Sequence, residues 1–234
     1  MITQAVLLAG GKGTRLRPYT TVLPKPLMPV GDYPILEILV RKLKKAGIER
    51  IKIATGYLSH LLESYFGDGS QWGVDITYSH ETEPLGTAGP LKLIDDLEDK
   101  FLLMNGDLLT DLSFADLIKF HESENGLMSI AVYKKEVKID LGVLTIEDKN
   151  VIDYLEKPKY NFHVSMGIYA LNREIIEHIP NGYFDLPDLV KKMITEKQKI
   201  SSYFFDGMWL DIGRPDDYSK ALEIYEDNKE SIIG

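Results

Sequence analysis

Short, wholly apolar runs alternate with stretches of helical periodicity over the first half of this chain, and that alternation narrows the fold more than any other feature. AVLLA (5–9) contains no polar position, the pattern of a strand buried on both faces. PILEILVRKLKKAG (34–47) places Leu36, Leu39, Val40 and Leu43 on one helical face, opened by Pro34 and closed by Gly47. IKIAT (51–55), DITYS (75–79) and KFLLMNGD (100–107) read as further strands. HLLESYFG (60–67), TAGPLKLIDDL (87–97, with Pro90 in its first turn) and LSFADLIKFHESENG (112–126) read as helices. Strand and helix in alternation imply right-handed crossovers, hence an α/β fold with a Rossmann-like, mostly parallel sheet flanked by helices. From about residue 127 the strands follow one another more closely (LMSIAVY, GVLTIE, VIDYLEKP, VSMGIYAL), and two late helices, 185–197 and 215–229, complete the chain. This second half reads as a mixed-sheet lobe. With 234 residues the expectation is one domain, 1–234, in two halves of about 1–126 and 127–234.

Composition removes several classes of function. A formal net charge of −9 is the opposite of a broad basic footprint, so nucleic acid is not an expected partner. The absence of cysteine excludes disulfides and thiol catalysis. No apolar stretch approaches the ~20 residues that span a bilayer, so no membrane partner is expected. The opening MITQAVLLAGGKG lacks the basic region of a secretory leader, and a cytoplasmic location follows as the expectation. The five histidines show no metal-ligand spacing.

The residues after the first strand, Gly10-Gly11-Lys12-Gly13-Thr14-Arg15, are glycine-rich but match neither standard phosphate motif. Val6 stands where a P-loop needs its first glycine, and Leu16 where the dinucleotide pattern needs its last. What remains is either a plain turn or a loop whose N–H groups line an anion, with Arg15 as a fixed cation. Ten residues on, Pro26 pushes Lys25 toward an extended shape while Pro24 fixes its own backbone. A lysine so restrained loses less entropy on holding a phosphate. Each feature alone has an ordinary surface reading; together they point to phosphate. Asp107, in Asn105-Gly106-Asp107 at the end of an apolar strand, is a carboxylate suited to a hard cation such as Mg²⁺, or part of an Asn-Gly turn. Asp211 lies between Leu210 and Ile212 and needs a partner, which a metal would supply.

The string GGKGTRLRPYTTVLPKPLMPV (10–30) resembles the signature of the sugar-phosphate nucleotidyltransferase family. The resemblance continues through EPLGTAG (83–89), NGD (105–107), EKP (156–158), MGIY (166–169) and WLDIG (209–213). It implies transfer of a nucleotidyl group from a nucleoside triphosphate to a sugar 1-phosphate, with the first half binding nucleotide and the second half sugar. Arg15 and Lys25 would be catalytic. Leu8, Ala9, Gly10, Gly11, Gly13, Thr14, Glu81, Pro84, Gly86 and Thr87 would bind the nucleotide. Asn105, Gly142, Glu156, Lys157 and Gly167 would bind the sugar phosphate, and Asp107 with Asp211 would hold Mg²⁺. Two departures bear on the sugar: Leu141 replaces the tyrosine of the common Y-G-V, and Ser165-Met166 stand where relatives carry Asn-Ala or Asn-Thr. Glu81 occupies the place of a base-reading glutamine in thymidylyl enzymes. A carboxylate only accepts hydrogen bonds, and guanine presents two donors on one edge, so the resemblance leans to guanylyltransferases acting on glucosamine, mannose or heptose 1-phosphate. Uridylyl or thymidylyl transfer on the same fold is the alternative. A non-catalytic subunit of this fold is opposed by the presence of Arg15, Lys25, Asp107 and Asp211 together. Self-association is left open.

Overall fold

The computed structural model describes residues 2–233. In chain order its first half holds β1 (Gln4–Ala9), β2 (Pro29–Val30), β3 (Tyr33–Pro34), α1 (Ile35–Lys45), β4 (Arg50–Thr55), α2 (Ser59–Phe66), β5 (Asp75–His80), β6 (Lys100–Asn105), β7 (Leu108–Thr110) and α3 (Phe114–Ser123). The second half holds β8 (Met128–Lys138), β9 (Gly142–Glu147), β10 (Asn150–Glu156), β11 (Lys159–Asn172), α4 (Leu186–Thr195), β12 (Ile200–Phe205), β13 (Trp209–Asp211) and α5 (Pro215–Ile233). Seven strands form one sheet in the order β12-β8-β11-β6-β1-β4-β5. All run the same way except β11, which is antiparallel to both β6 and β8. The expected mixed lobe is therefore a continuation of the parallel sheet past its one reversed strand.

Alternation along β1 sends side chains to two cores. Ala5, Leu7 and Ala9 join Leu36, Leu39, Val40 and Leu43 of α1 and Leu62 and Phe66 of α2 on one face. Val6 joins Leu103, Leu171, and Leu189 and Met193 of α4 on the other. A third cluster packs Ala221 and Tyr225 of α5 against Ile35 and Ile38 of α1, Leu16 and Ile212. Helix α3 starts on Ser113, whose hydroxyl accepts the Asp116 N–H at 3.3 Å.

Two expectations fail locally. Residues 87–97 form only a 3-10 turn, Gly89–Leu93. Pro90 has no N–H to give, and the N–H groups of Ala88 and Gly89 donate to the Phe184 carbonyl at 2.9 and 3.0 Å, so the backbone is committed elsewhere before a helix can nucleate. Lys25 is not extended either. Pro24 takes the extended backbone, and Lys25 opens a 3-10 turn, Lys25–Leu27, closed by Leu27 N–H to the Pro24 carbonyl at 2.9 Å. The disfavour of helical backbone before proline is overcome by that turn and by the tertiary partner of the lysine described below.

The chain crosses from β1 to β4 on one side, while β6 pairs on the other. The carboxyl end of β1 is thus the topological switch point, where open α/β sheets leave a crevice. Leu7 is fully buried at the centre of this strand. Leu7→Ala is expected to cost about 2–5 kcal/mol, read as a lower denaturant midpoint with an unchanged m-value.

Candidate active site

The crevice begins where β1 ends. Gly106 N–H donates to the Leu8 carbonyl at 2.9 Å, and Tyr57 N–H to the Gly10 carbonyl at 3.3 Å, so the ends of β1, β4 and β6 are stitched to one rim. A Cβ at Gly10 would stand 2.6 Å from Oε1 of Glu81, and a Cβ at Gly56 would stand 3.1 Å from the Gly10 carbonyl oxygen. Glycine is needed at both because backbone and carboxylate approach this closely. Gly13 has φ +58°, and its carbonyl accepts the Thr20 hydroxyl at 2.7 Å and Leu16 N–H at 2.9 Å. Thr14 and Arg15 then enter a 3-10 turn, Thr14–Leu16, anchored by fully buried Leu16. Gly11 has open space beside it, leaving that stretch of backbone free to face a ligand.

Lys25 is almost wholly buried, and its ammonium donates to Oδ2 of Asp107. The other oxygen, Oδ1, is buried without a hydrogen-bond partner. Asp211 reaches this place through pairing of β13 with β7, which sets Asp211 opposite Leu108, while Ile212 N–H donates to the Asp107 carbonyl at 3.1 Å. The approach to β13 is stapled by Met208, whose carbonyl accepts the Thr110 hydroxyl at 2.8 Å and whose N–H donates to Asp111 at 2.7 Å. Asp211 opens to the crevice at its rim. Desolvation by its surroundings, then the charge of Asp107, pushes its carboxyl above the usual range, against the opposing pull of Lys25 and Arg15. The Arg15 guanidinium sits beside Gly213, where a Cβ would be 3.6 Å from both terminal nitrogens. Arg15, Lys25, Asp107 and Asp211 therefore form one cluster.

The donor set suits a hard divalent cation: two carboxylates, one with an unpartnered buried oxygen, repel each other across a polar crevice. No group of three or more His, Cys, Asp or Glu gathers among the described residues, so an ion held by Asp107 and Asp211 would draw further ligands from water or phosphate.

Glu81 lies at the end of β5. Its Oε2 accepts Leu85 N–H at 3.0 Å, and burial raises its carboxyl pKa against that hydrogen bond. Pro84 to Thr87 form a loop held from the second half of the chain, a clamp the sequence reading missed. Thr87 N–H and hydroxyl both donate to Oδ1 of Asp185 at 3.0 Å, the Thr87 hydroxyl accepts Leu186 N–H at 2.8 Å, and Phe184 N–H donates to the Leu85 carbonyl at 2.9 Å. Gly86, at φ +78°, lies where a Cβ would be 2.6 Å from the Phe184 carbonyl oxygen. Burial pushes the Asp185 carboxyl up, but the hydrogen bonds from Tyr183 and Thr87 hold it below its ordinary value. The only sequence signal was the helix start at Asp185.

The five sugar-phosphate candidates fall in two places. Asn105 and Gly167 meet on the sheet: the Asn105 amide covers Gly167, whose φ of +73° lies in a β-bulge of β11 between Ser165 and Tyr169. Gly142, Glu156 and Lys157 lie on the exposed hairpin formed by β9 and β10, where Gly142 faces Glu156. Leu141 is 73% exposed. The aromatic ring that lies against Gly142 is that of Tyr154, whose hydroxyl donates to Glu156 at 2.5 Å, a bond that raises the tyrosine pKa.

The nucleotidyl transferase family matches residues 4–228. A probable mannose-1-phosphate guanylyltransferase of Oryza sativa is 36% identical over 96% of this chain and 65% of its own length. A UTP–glucose-1-phosphate uridylyltransferase of Synechocystis is 33% identical over 94% of this chain and 62% of its own. The chain thus spans less than two thirds of these relatives. A crystal structure of HddC from Yersinia pseudotuberculosis complexed with GMP-PN superposes with a TM-score of 0.72 at 26% identity, covering 96% of this chain and 100% of that one. No helix among the described residues is long and apolar enough to cross a membrane.

Desolvation and repulsion at Asp211 yield a signed prediction. A carboxyl pKa raised by folding means that the group favours the fold below the ordinary carboxylate range and that this contribution is lost as pH rises from that range through the raised folded-state value. At neutral pH, Asp211→Asn is expected to raise the melting temperature of the metal-free protein by about 1–2 °C, a small gain because the group is screened by solvent. Mg²⁺ is expected to raise the melting temperature of the wild type in proportion to the logarithm of its concentration, and to leave Asp107→Asn unmoved in differential scanning fluorimetry.

Proposed function

This chain belongs to the nucleotidyl transferase family, and we propose that its crevice joins a nucleoside triphosphate, GTP in preference, to a sugar 1-phosphate with release of pyrophosphate. The observation that carries the reading is the buried Lys25–Asp107 pair at the sheet's switch point, with an unpartnered Asp107 oxygen, Asp211 alongside and Arg15 across the opening.

The two substrates together bring several negative charges into one crevice, so cations must be fixed there in advance. Backbone N–H groups of residues 10–14 and the Arg15 guanidinium receive the triphosphate. Lys25 stands between the glycine loop and Asp107, and its ammonium offsets charge at the α-phosphate and the incoming sugar phosphate. A sugar-phosphate oxygen attacks the α-phosphorus, that P–O bond forms as the bond to pyrophosphate breaks in line, and no covalent enzyme intermediate is needed. The work of the chain is positioning and charge stabilisation. Asp107 and Asp211 are the residues that would hold Mg²⁺, which when bound supplies Lewis-acid stabilisation of the phosphates.

Base choice rests on Glu81. Leu85 N–H fixes its carboxylate beside Gly10, and an acceptor-only group so held matches the two donors on guanine's edge. The guanylyltransferase name of the rice relative and GMP-PN in the HddC structure favour the same base. The Synechocystis relative keeps UTP as the second reading. For the sugar, Glu156 is held by Tyr154 to accept from hydroxyls, with Lys157 next to it on the phosphate.

Pyrophosphate release with Mg²⁺, crossed over the four nucleoside triphosphates, dTTP and a set of hexose 1-phosphates, tests the whole reading: a GTP-dependent signal supports it, a UTP or dTTP signal removes the base assignment, and none removes the activity. Lys25→Ala and Asp107→Ala are expected to lower kcat roughly 100- to 1000-fold; near-wild-type turnover in either would remove that residue from the mechanism. Glu81→Gln is expected to lower kcat/KM for GTP about 10- to 100-fold, the scale of a hydrogen bond to a charged group.

A further inference from the structure

The two carboxylates of the candidate cation site are held very differently. Asp107 follows β6, which lies between β1 and β11 in the seven-stranded sheet. Asp211 ends β13, a strand of three residues that forms a two-stranded sheet with β7. Trp209, Leu210 and Asp211 stand opposite Thr110, Leu109 and Leu108. Side chains alternate along both strands, so Asp211 and Trp209 share one face with Leu108 and Thr110. Leu210 and Leu109 share the other face and pack together in the third core. A slip of one residue would exchange the faces and turn Asp211 away from Asp107. A ladder this short specifies its own register weakly.

What pins the register is a set of polar groups at the far end of the pair. Thr110 is fully buried. Its hydroxyl donates to the Met208 carbonyl at 2.8 Å and accepts Leu112 N–H at 3.1 Å. Asp111 N–H donates to the same carbonyl at 3.1 Å, and Oδ1 of Asp111 accepts Met208 N–H at 2.7 Å. Met208 stands opposite Asp111 by continuation of the register, and a regular ladder would bond its N–H to the Asp111 backbone carbonyl. The carboxylate takes the place of that carbonyl. Gly207 makes room for it, since a Cβ there would stand 2.6 Å from the same oxygen. Burying a hydroxyl and a carboxylate is costly unless they are hydrogen-bonded, and apolar side chains would fill the same space. What the polar pair adds is direction: its bonds can be made only with Met208 in this register.

We infer that Thr110 and Asp111 are positioning residues for the divalent ion, their bonds to Met208 locking β13 on β7 so that Asp211 is set beside Asp107. The inference rests on the reading that Asp107 and Asp211 hold the ion. Asp111 acts through the geometry of its oxygen and not through its charge.

Mn²⁺ binding to the full chain, read from the free-ion signal in electron paramagnetic resonance, tests it. Thr110→Val and Asp111→Ala are expected to weaken Mn²⁺ binding about 10- to 100-fold, the scale set by groups that orient metal ligands, with circular dichroism unchanged. Asp111→Asn keeps the Oδ1 acceptor and is expected to bind as wild type. Leu7→Ala lowers stability away from these groups and is also expected to bind as wild type, which separates register from stability. In pyrophosphate release, the Mg²⁺ concentration for half-maximal rate is expected to rise by the same factor in Thr110→Val and Asp111→Ala, with kcat at saturating Mg²⁺ retained. If Asp211→Asn loses Mn²⁺ while Thr110→Val and Asp111→Ala bind it as tightly as wild type, the inference is overturned and the ion site stands. Asp111→Asn binding as weakly as Asp111→Ala would overturn it too, by showing that charge is what matters. A wild type that binds no Mn²⁺, or an Asp211→Asn that binds it unchanged, would remove the ion reading and this inference with it.

Discussion

Everything at the candidate site is organised around one buried ion pair. Taking the Lys25 ammonium out of water is costly unless an opposite charge meets it with good geometry, and Asp107 is that charge. The pair forces the two elements that carry it together: the turn that follows the glycine loop and the end of β6. It also leaves its own accounts unbalanced. One oxygen of Asp107 has no partner, and Asp211 is brought beside it with its carboxyl pushed up. A fold seeking only stability would remove such a group. Retaining it leaves a crevice already fitted for added positive and negative charge, which is what phosphate and a divalent ion would bring.

The second dependence is on a single continuous sheet. Because β11 runs antiparallel between β6 and β8, the late part of the chain returns across the crevice instead of forming a body of its own. That return delivers Gly167 to Asn105, β13 to β7, and the 184–186 backbone to the Leu85–Gly89 loop. The loop beside Glu81 is therefore shaped by residues about a hundred positions away. Its backbone donors are consumed in that clamp, which is why the helix expected over 87–97 shrinks to a single 3-10 turn.

Much of the site was legible because glycine and proline mark places where backbone geometry is special. Gly10 and Gly86 stood out as glycines in loops after strands, and each is found against a carboxylate or a carbonyl. Asp107 and Asp211 could be named from their apolar neighbours. Lys25 was found for a reason only half right: the flanking prolines constrain its surroundings, yet the residue is turned, and burial against Asp107 holds it. Thr87, which the resemblance names as a nucleotide-binding residue, has its hydroxyl engaged by Asp185 and Leu186, a clamp that nothing local in the sequence announces. Tyr154 gave no signal in the sequence, since a tyrosine alternating along a strand is ordinary; only its pairing across the hairpin sets it over Gly142 and onto Glu156.

By itself the sequence determined the local elements and the chemistry available: apolar runs that must be buried on both faces, a glycine loop after the first of them, and a matched set of cations and acids. Those follow from periodicity, backbone preference and charge, which act over a few residues. Tertiary structure alone decided which distant groups meet. The partner of Lys25, the clamp on the Glu81 loop and the placing of Asp211 depend on strand order and register, and these are set by how the whole chain buries its two faces at once.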